Sequence, residues 1–217
     1  MPNISTEDYI KHIYKLEQER KKVTTSALAA SLDLSDPSVT DMIKKLSEKG
    51  YVSYEPYKGV GLTRQGRQMA LKIVRRHRLW EMYLMKFLGF SWDQVHDEAE
   101  RLEHVTSDDM ERKLDEALGF PKADPHGDPI PTVDGKLHAP EYAPLTSCTV
   151  GEVVKILRVS DEDPAILQHA TKLGVKLNTK MTIREKTEFD GAMKVKVGSK
   201  HQFISQQVAE AIFVERV

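Results

Sequence analysis

Residues 24–63 read TTSALAASLDLSDPSVTDMIKKLSEKGYVSYEPYKGVGLT. Leu28, Leu32, Leu34, Val39, Ile43 and Leu46 recur at helical spacing on both sides of a short break at residues 33–36. Thr24 or Thr25 can cap a first short helix that carries Leu28, Ala29 and Leu32 inward. Pro37 suits the first turn of the next helix, 37–49, where its missing N–H costs nothing, and Gly50 ends that helix. Two extended segments follow, YVSYE and GVGLT, joined through Pro56, Tyr57, Lys58 and Gly59. Two helices with a shared apolar face, a tight turn and a β-ribbon make a winged helix-turn-helix.

The outer face of this unit has the chemistry of a nucleic-acid reader. Ser38 and Thr40, beside Pro37, put hydroxyls near the start of the second helix, and Lys44 and Lys45 follow along it. Thr25 and Ser26 stand at a helix N-terminus, where backbone N–H groups favour a phosphate. Tyr57 and Lys58 occupy the wing tip and can track an adjacent groove. Residues 1–88 carry 16 Lys and Arg against 10 Asp and Glu, a net +6; the remainder carries 16 against 23, a net −7. A basic front and an acidic back fit a DNA surface followed by a cation site.

Outward from this stretch the chain reads mostly as helix, then as strand. Upstream, a helix runs to about residue 20 with Tyr9, Ile13 and Leu16 inward, capped by Ser5 or Thr6. Downstream, helical spacing continues over 64–88 until Gly89, then over 91–104 and 107–118. Residues 120–144 are rich in Pro and Gly and read as an ordered turn followed by a linker. After Pro144 the period changes to two in TVGEVVKILRV, KMTIREK, MKVKV and FVERV, with one helix near 165–173. A small β-barrel of ~70 residues accounts for this pattern. The fold class expected is mostly α with α+β parts, in three domains: 1–63, 64–143 and 144–217.

A second feature lies in HDEAERLEH, residues 96–104. His96, Glu100, Glu103 and His104 fall on one helical stripe. His77 and Glu81 share a face of the preceding helix at i,i+4. Imidazoles and carboxylates on facing helices bind divalent cations through nitrogen and oxygen. No run approaches the ~18 apolar residues of a membrane span, and the polar N-terminus carries no secretory signal. Cys148, the single cysteine, has no intrachain disulfide partner, which fits a reducing cytoplasm. No membrane partner and no small organic substrate are expected. A di-metal helical enzyme would be an alternative use of the same carboxylates, but no nucleophile motif accompanies them and the wing would be unexplained. A DNA-binding protein with a purely structural His/Glu cluster is another. The barrel could also serve as a partner module for Pro-rich segments, such as that holding Pro125, Pro129, Pro131, Pro140 and Pro144.

The stretches EDYIKHIYKLE, SVTDMIKKL, GLTRQGR, RRHRLWE, VHDEAERLEHVTSDDMERKLD and PHGDPIP together resemble the diphtheria-toxin-repressor family of metal-dependent regulators, most closely its manganese-responsive members. The resemblance covers residues 4–131 strongly, and the C-terminal part looks like the family's SH3-like (FeoA-like) domain. It implies a homodimeric, metal-activated repressor of metal-uptake genes on palindromic operators, with two metal sites per subunit. Carried over, the regulatory site would use Asp8, Glu100, Glu103 and His104. The ancillary site would use His77, Glu81 and His96, completed from the C-terminal domain by Asp163, with Asp161 and Glu162 next in line. Iron-responsive relatives place a thioether at the position of Asp8 and a thiolate at that of Glu100. Carboxylates at both suit Mn(II), with Fe(II) the alternative. Lys11 stands where small relatives lacking the barrel have a carboxylate ligand, which argues for two separated sites.

Overall fold

The computed structural model describes residues 6–19, 22–55, 58–138 and 140–217. By contact the chain forms two units, residues 1–76 with 131–136, and residues 77–130 with 137–217.

In the first unit, α1 (Thr6–Gln18), α2 (Thr25–Leu32) and α3 (Asp36–Glu48) precede an antiparallel ribbon of β1 (Val52–Glu55) and β2 (Gly59–Leu62). The Thr24 hydroxyl accepts from Ala27 N at 3.0 Å, so Thr24 rather than Thr25 caps α2. Asp33 ends α2 in the left-handed region at φ 52°, and its N–H bonds Ala29 and Ala30 carbonyls. A short polar side chain is tolerated there, and the tight turn follows. Leu28, Leu32, Val39, Ile43 and Leu46 close with Tyr9, Ile13, Val23, Val52 and Val60 into one core, with Leu34 half-buried beside it. The first part of α4 (Arg64–Leu88) packs Ala70, Leu71 and Val74 against Ile10 and Tyr14 of α1.

The second unit holds the rest of α4 with α5 (Val95–Glu103) and α6 (Asp108–Leu118). Helix α5 starts at Val95 rather than Ser91, because residues 92–94 form a turn closed by Gln94 N to Ser91 O at 2.9 Å. Ser107 caps α6 through Met110 N, and Gly119 ends it at φ 79°.

The remainder is an antiparallel six-stranded sheet in the order β3-β8-β4-β5-β6-β7. Its strands are β3 (Ala143–Pro144), β4 (Val153–Val159), β5 (Lys180–Lys186), β6 (Met193–Val197), β7 (Lys200–Ile204) and β8 (Ile212–Arg216). Helices α7 (Pro164–Lys172) and α8 (Gln206–Glu210) cover it. Val154, Ile156, Met181, Ile183, Met193, Val195 and Val214 alternate inward and close the core with Leu167 and Ala170 of α7. Strand β7 and helix α8 extend the pattern read from sequence.

The segment 121–130 is an ordered turn that ties helices to barrel. Arg78 of α4 donates to Pro129 O at 2.6 Å and to Asp128 at 3.2 Å. Arg158 of β4 donates to the other Asp128 oxygen at 2.8 Å, and Val159 N to His126 O at 2.9 Å. Gly127 sits at φ 95°, and a Cβ there would lie 2.0 Å from Leu157 O. Gly151 has a similar φ of 94° with nothing within 4 Å. Gly151→Ala should therefore cost only the backbone strain, about 1–2 kcal/mol. Gly127→Ala should cost that and a further 1–3 kcal/mol, roughly, for the backbone clash. Denaturant unfolding of the two variants tests this; equal losses would contradict the close approach.

Candidate metal centre and nucleic-acid interface

His77 and Glu81 project from one face of α4, and His96, Glu100 and Glu103 from one face of α5, with His104 as its C-cap residue. Glu81 and Glu103 are each 1% exposed, an unusual position for carboxylates unless they are paired. His77 lies between them: Nδ1 donates to Glu103 Oε2 at 2.6 Å, and Nε2 lies 3.1 Å from Glu81 Oε1. His96 Nδ1 is 3.3 Å from His77 Nε2 and 3.6 Å from Glu81 Oε1. Glu100 is 3.5 Å from His77 Nδ1, and Glu103 Oε1 is 3.4 Å from His104 Nε2.

Glu100, Glu103 and His104 each offer a ligand atom within 4.8 Å of one another, as do Glu81, His96 and Asp161. Asp8 lies in the first turn of α1, in the other unit. The acid brought to His96 from the barrel is Asp161, 3.5 Å from Nδ1, and this corrects the expectation of Asp163. Asp163 is the N-cap of α7: its carboxylate accepts from Ala165 N at 2.9 Å, directly before Pro164. The cap geometry turns that side chain onto its own helix.

Two further residues belong to the cluster. Glu81, Asp124 and His126 form a wholly buried group within the same 4.8 Å limit. His126 Nε2 donates to Trp92 O at 2.6 Å, which leaves Nδ1 as the lone-pair nitrogen, 3.9 Å from Glu81 Oε1. Neither His126 Nδ1 nor Glu81 Oε2, both buried, has a hydrogen-bond partner in the structure. Orphaned buried acceptors are costly, and a cation held by Glu81 and His126 would satisfy both. Asp124 takes a different part: its carboxylate accepts from His126 N and Asp128 N at 2.8 and 2.9 Å and so builds the turn. Burial, then Glu81 and Asp128, push its carboxyl well above the ordinary value. The sequence signal for His126 was PHGDPIP, which lacks the helical period that exposed the other candidate ligands.

Without a cation the charges are balanced by protons. Asp161, then Glu81, raise the His96 imidazole to about 10. Burial pushes Glu81 up, but His77, then His96 and His126, outweigh it and hold it at about 2. His96 thus stabilises the metal-free fold at pH below about 6.5, and this is lost as pH rises through about 10. The Glu81 contribution is present above about 4.5 and lost as pH falls toward about 2.

In the first unit the outer face of α3 is exposed, with its hydroxyls engaged locally. Ser26 Oγ donates to Asp36 at 2.6 Å, Thr40 Oγ1 to Asp36 O at 2.8 Å, and Ser38 pairs with Ser35 at 2.9 Å. Lys44 lies 3.8 Å from Asp41 and Lys58 2.5 Å from Glu55, while Thr25 is half-buried and Pro37 and Lys45 are exposed. Tyr57 lies outside the described residues.

Comparison with known proteins gives one answer along the whole chain. Residues 3–60 match the iron dependent repressor N-terminal DNA binding domain. Residues 63–132 match the iron dependent repressor metal binding and dimerisation domain, and residues 143–216 the FeoA domain. The iron-dependent repressor IdeR of Mycobacterium tuberculosis is 31% identical over 98% of this chain and 97% of its own. A manganese-dependent transcriptional repressor solved in complex with manganese is 39% identical, with a TM-score of 0.92 over 98% of this chain and 100% of that one. The manganese regulator SloR is 32% identical, with a TM-score of 0.78 over 97% and 98%.

A divalent ion bound through His96 has to displace its proton. Mn(II) affinity should therefore rise between pH 6 and 8. Titration calorimetry in buffers of different ionisation enthalpy should count at least one proton released; a pH-independent affinity with no proton release would contradict this balance.

Proposed function

The chain belongs to the diphtheria-toxin-repressor family and is a metal-dependent transcriptional repressor, and from that premise we propose that Mn(II) activates it through two sites per subunit. The observation that carries this is the buried set of oxygen and imidazole donors around Glu81 and Glu103, two of whose atoms lack partners. No thiol or thioether belongs to either ligand set, and hard donors suit Mn(II). Fe(II) is the alternative, as the name of the mycobacterial relative indicates. Mn(II) binds weakest in the divalent series, so geometry and supply have to provide selectivity.

We assign Asp8, Glu100, Glu103 and His104 to the regulatory site, following the family resemblance for Asp8. The second site takes Glu81, His96, Asp161, His77 through Nε2, and His126 through Nδ1. When bound, the cation supplies charge that cancels the clustered carboxylates. Asp8 from α1 and the three groups at the end of α5 then share one partner, which restrains the DNA-binding half. The shift available equals the difference in cation affinity between the restrained and unrestrained states.

The protein acts as a homodimer in the cytoplasm. Leu88 (57% exposed) and Val105 (79%), which lie in the stretch matching the dimerisation domain, are the apolar surface for that contact. In the dimer two α3 helices read half-sites of a palindromic operator one turn apart, ~34 Å, upstream of metal-uptake genes. Ser38, Thr40, Lys44 and Lys45 face that DNA, Pro37 fixes the helix start, and Thr25 and Ser26 meet phosphate. Tyr57 and Lys58 serve the wing.

Equilibrium dialysis with Mn(II) and operator anisotropy together test the assignment. Wild type should bind two ions per subunit. Glu100→Gln should lose one ion and metal-dependent DNA binding, Asp161→Asn should weaken the second site at least tenfold, and Asp163→Asn should keep both. Unchanged stoichiometry in Glu100→Gln, or a larger loss from Asp163→Asn than from Asp161→Asn, would refute it.

A further inference from the structure

The acidic half of the chain contains a basic stretch. Residues 176–203 hold seven Lys and Arg against three acids, although residues 89–217 carry a net −7. Strand register places Lys180, Lys194 and Lys196 on the outward face of the sheet, whereas Lys186 and Lys200 stand opposite the inward-facing Met193 and Val197. Lys155 stands opposite Lys180, Thr182 opposite Lys196, and Lys196 opposite His201. Lys194 stands opposite Phe203 and lies 5.5 Å over its ring.

Among the described residues, Lys180, Arg184, Lys196 and Lys200 form no ion pair. Lys194 has only Glu185, at 4.0 Å. Every other arginine of the second unit is paired: Arg78, Arg101, Arg112, Arg158 and Arg216. Asp109 and Glu116 of α6 are likewise occupied by Arg112 and Lys113.

Edge protection does not account for the arrangement. Lysine blunts exposed strand edges, and β7 is an edge, but Lys194 and Lys196 lie on β6, between β5 and β7. Like charges facing one another across strands, as Lys155 and Lys180 do, are destabilising. Glu215, 2.9 Å from Lys155, and Glu185, 4.0 Å from Lys194, offset part of this, and Lys180 and Lys196 keep no ion-pair partner among the described residues. Alternate residues of one strand stand roughly 6.6–6.8 Å apart, so Lys194 and Lys196 present a row of charges to an extended polyanion.

We propose that the outward face of β4–β7 is a second DNA-contacting surface, which holds duplex phosphate backbone without reading sequence. It rests on the DNA-binding reading of this chain, which keeps a polyanion at hand. Its cations displace counterions from the DNA on contact, and the Lys194 ammonium lies over the Phe203 ring. The proposed contact needs no metal, because no metal-binding residue lies on this face.

The full-length protein tests it. Binding to a duplex without operator would be measured in chelator at 50 to 200 mM salt, for wild type and Lys180→Gln/Lys196→Gln. Each phosphate contact steepens the log–log salt dependence by about 0.9, so the variant's slope should be shallower by roughly 1.8. A photoreactive label on Lys196→Cys should crosslink to that duplex; Cys148, 1% exposed, does not compete for the label. Metal-dependent operator recognition should survive in the variant, and its loss from wild type would instead strike the function proposed above. Equal slopes, absence of a crosslink, or crosslinking only to a second protein chain would overturn the proposal.

Discussion

The hydrogen bond from His77 to Glu103 is the interaction on which the second unit turns. It joins α4 to α5 at 2.6 Å in a place where both side chains are buried. A buried carboxylate without such a partner would carry a penalty of several kcal/mol, roughly. The same bond fixes the imidazole tautomer: with Nδ1–H committed to Glu103, Nε2 points to Glu81 and His96. A carboxylate behind a ligating imidazole orients it and raises its basicity. Glu103 also reaches His104 with its other oxygen. One carboxylate thus touches the donors of both proposed sites, and changes at one are felt at the other without any long pathway.

The barrel follows from the same constraint. Glu81 is surrounded by His77, His96 and His126, and each comes from a different element. His126 is held by the Trp92 carbonyl, and its turn is held by the Arg78–Asp128–Arg158 bridge. Asp161 extends from the end of β4 to His96. A Trp92–Thr171 hydrogen bond of 2.8 Å and the Gln168–Asp93 contact at 3.0 Å pin α7 to the helical part. The C-terminal domain is therefore a wall of the proposed metal centre. It forms one compact unit with α5 and α6.

Much of this was legible in the sequence because the signals were periodic. The apolar rows of α2 and α3, the i,i+4 pair His77 and Glu81, and the α5 stripe follow from 3.6 residues per turn. The parts not legible have local causes. Between Asp161 and Asp163, the decision was made by the proline after Asp163, which makes that residue a cap. His126 sits in a turn whose shape depends on Asp124 accepting two backbone N–H groups, which no spacing announces. Strand β7 was hidden by Lys200, His201 and Gln202 on an exposed edge, and α8 by its five-residue length. The start of α5 moved because Gln94 closes a turn with Ser91.

The most direct measurement of the central claim is fluorescence anisotropy of a labelled metal-transporter promoter fragment with chelated protein, first without metal, then with Mn(II), then with Fe(II) under anaerobic conditions. A metal-activated repressor selective for manganese should show operator binding only after Mn(II) is added, with Fe(II) less effective at equal free concentration. Binding that persists undiminished in chelator would mean that the buried His and Glu residues serve the fold alone, and would contradict the account.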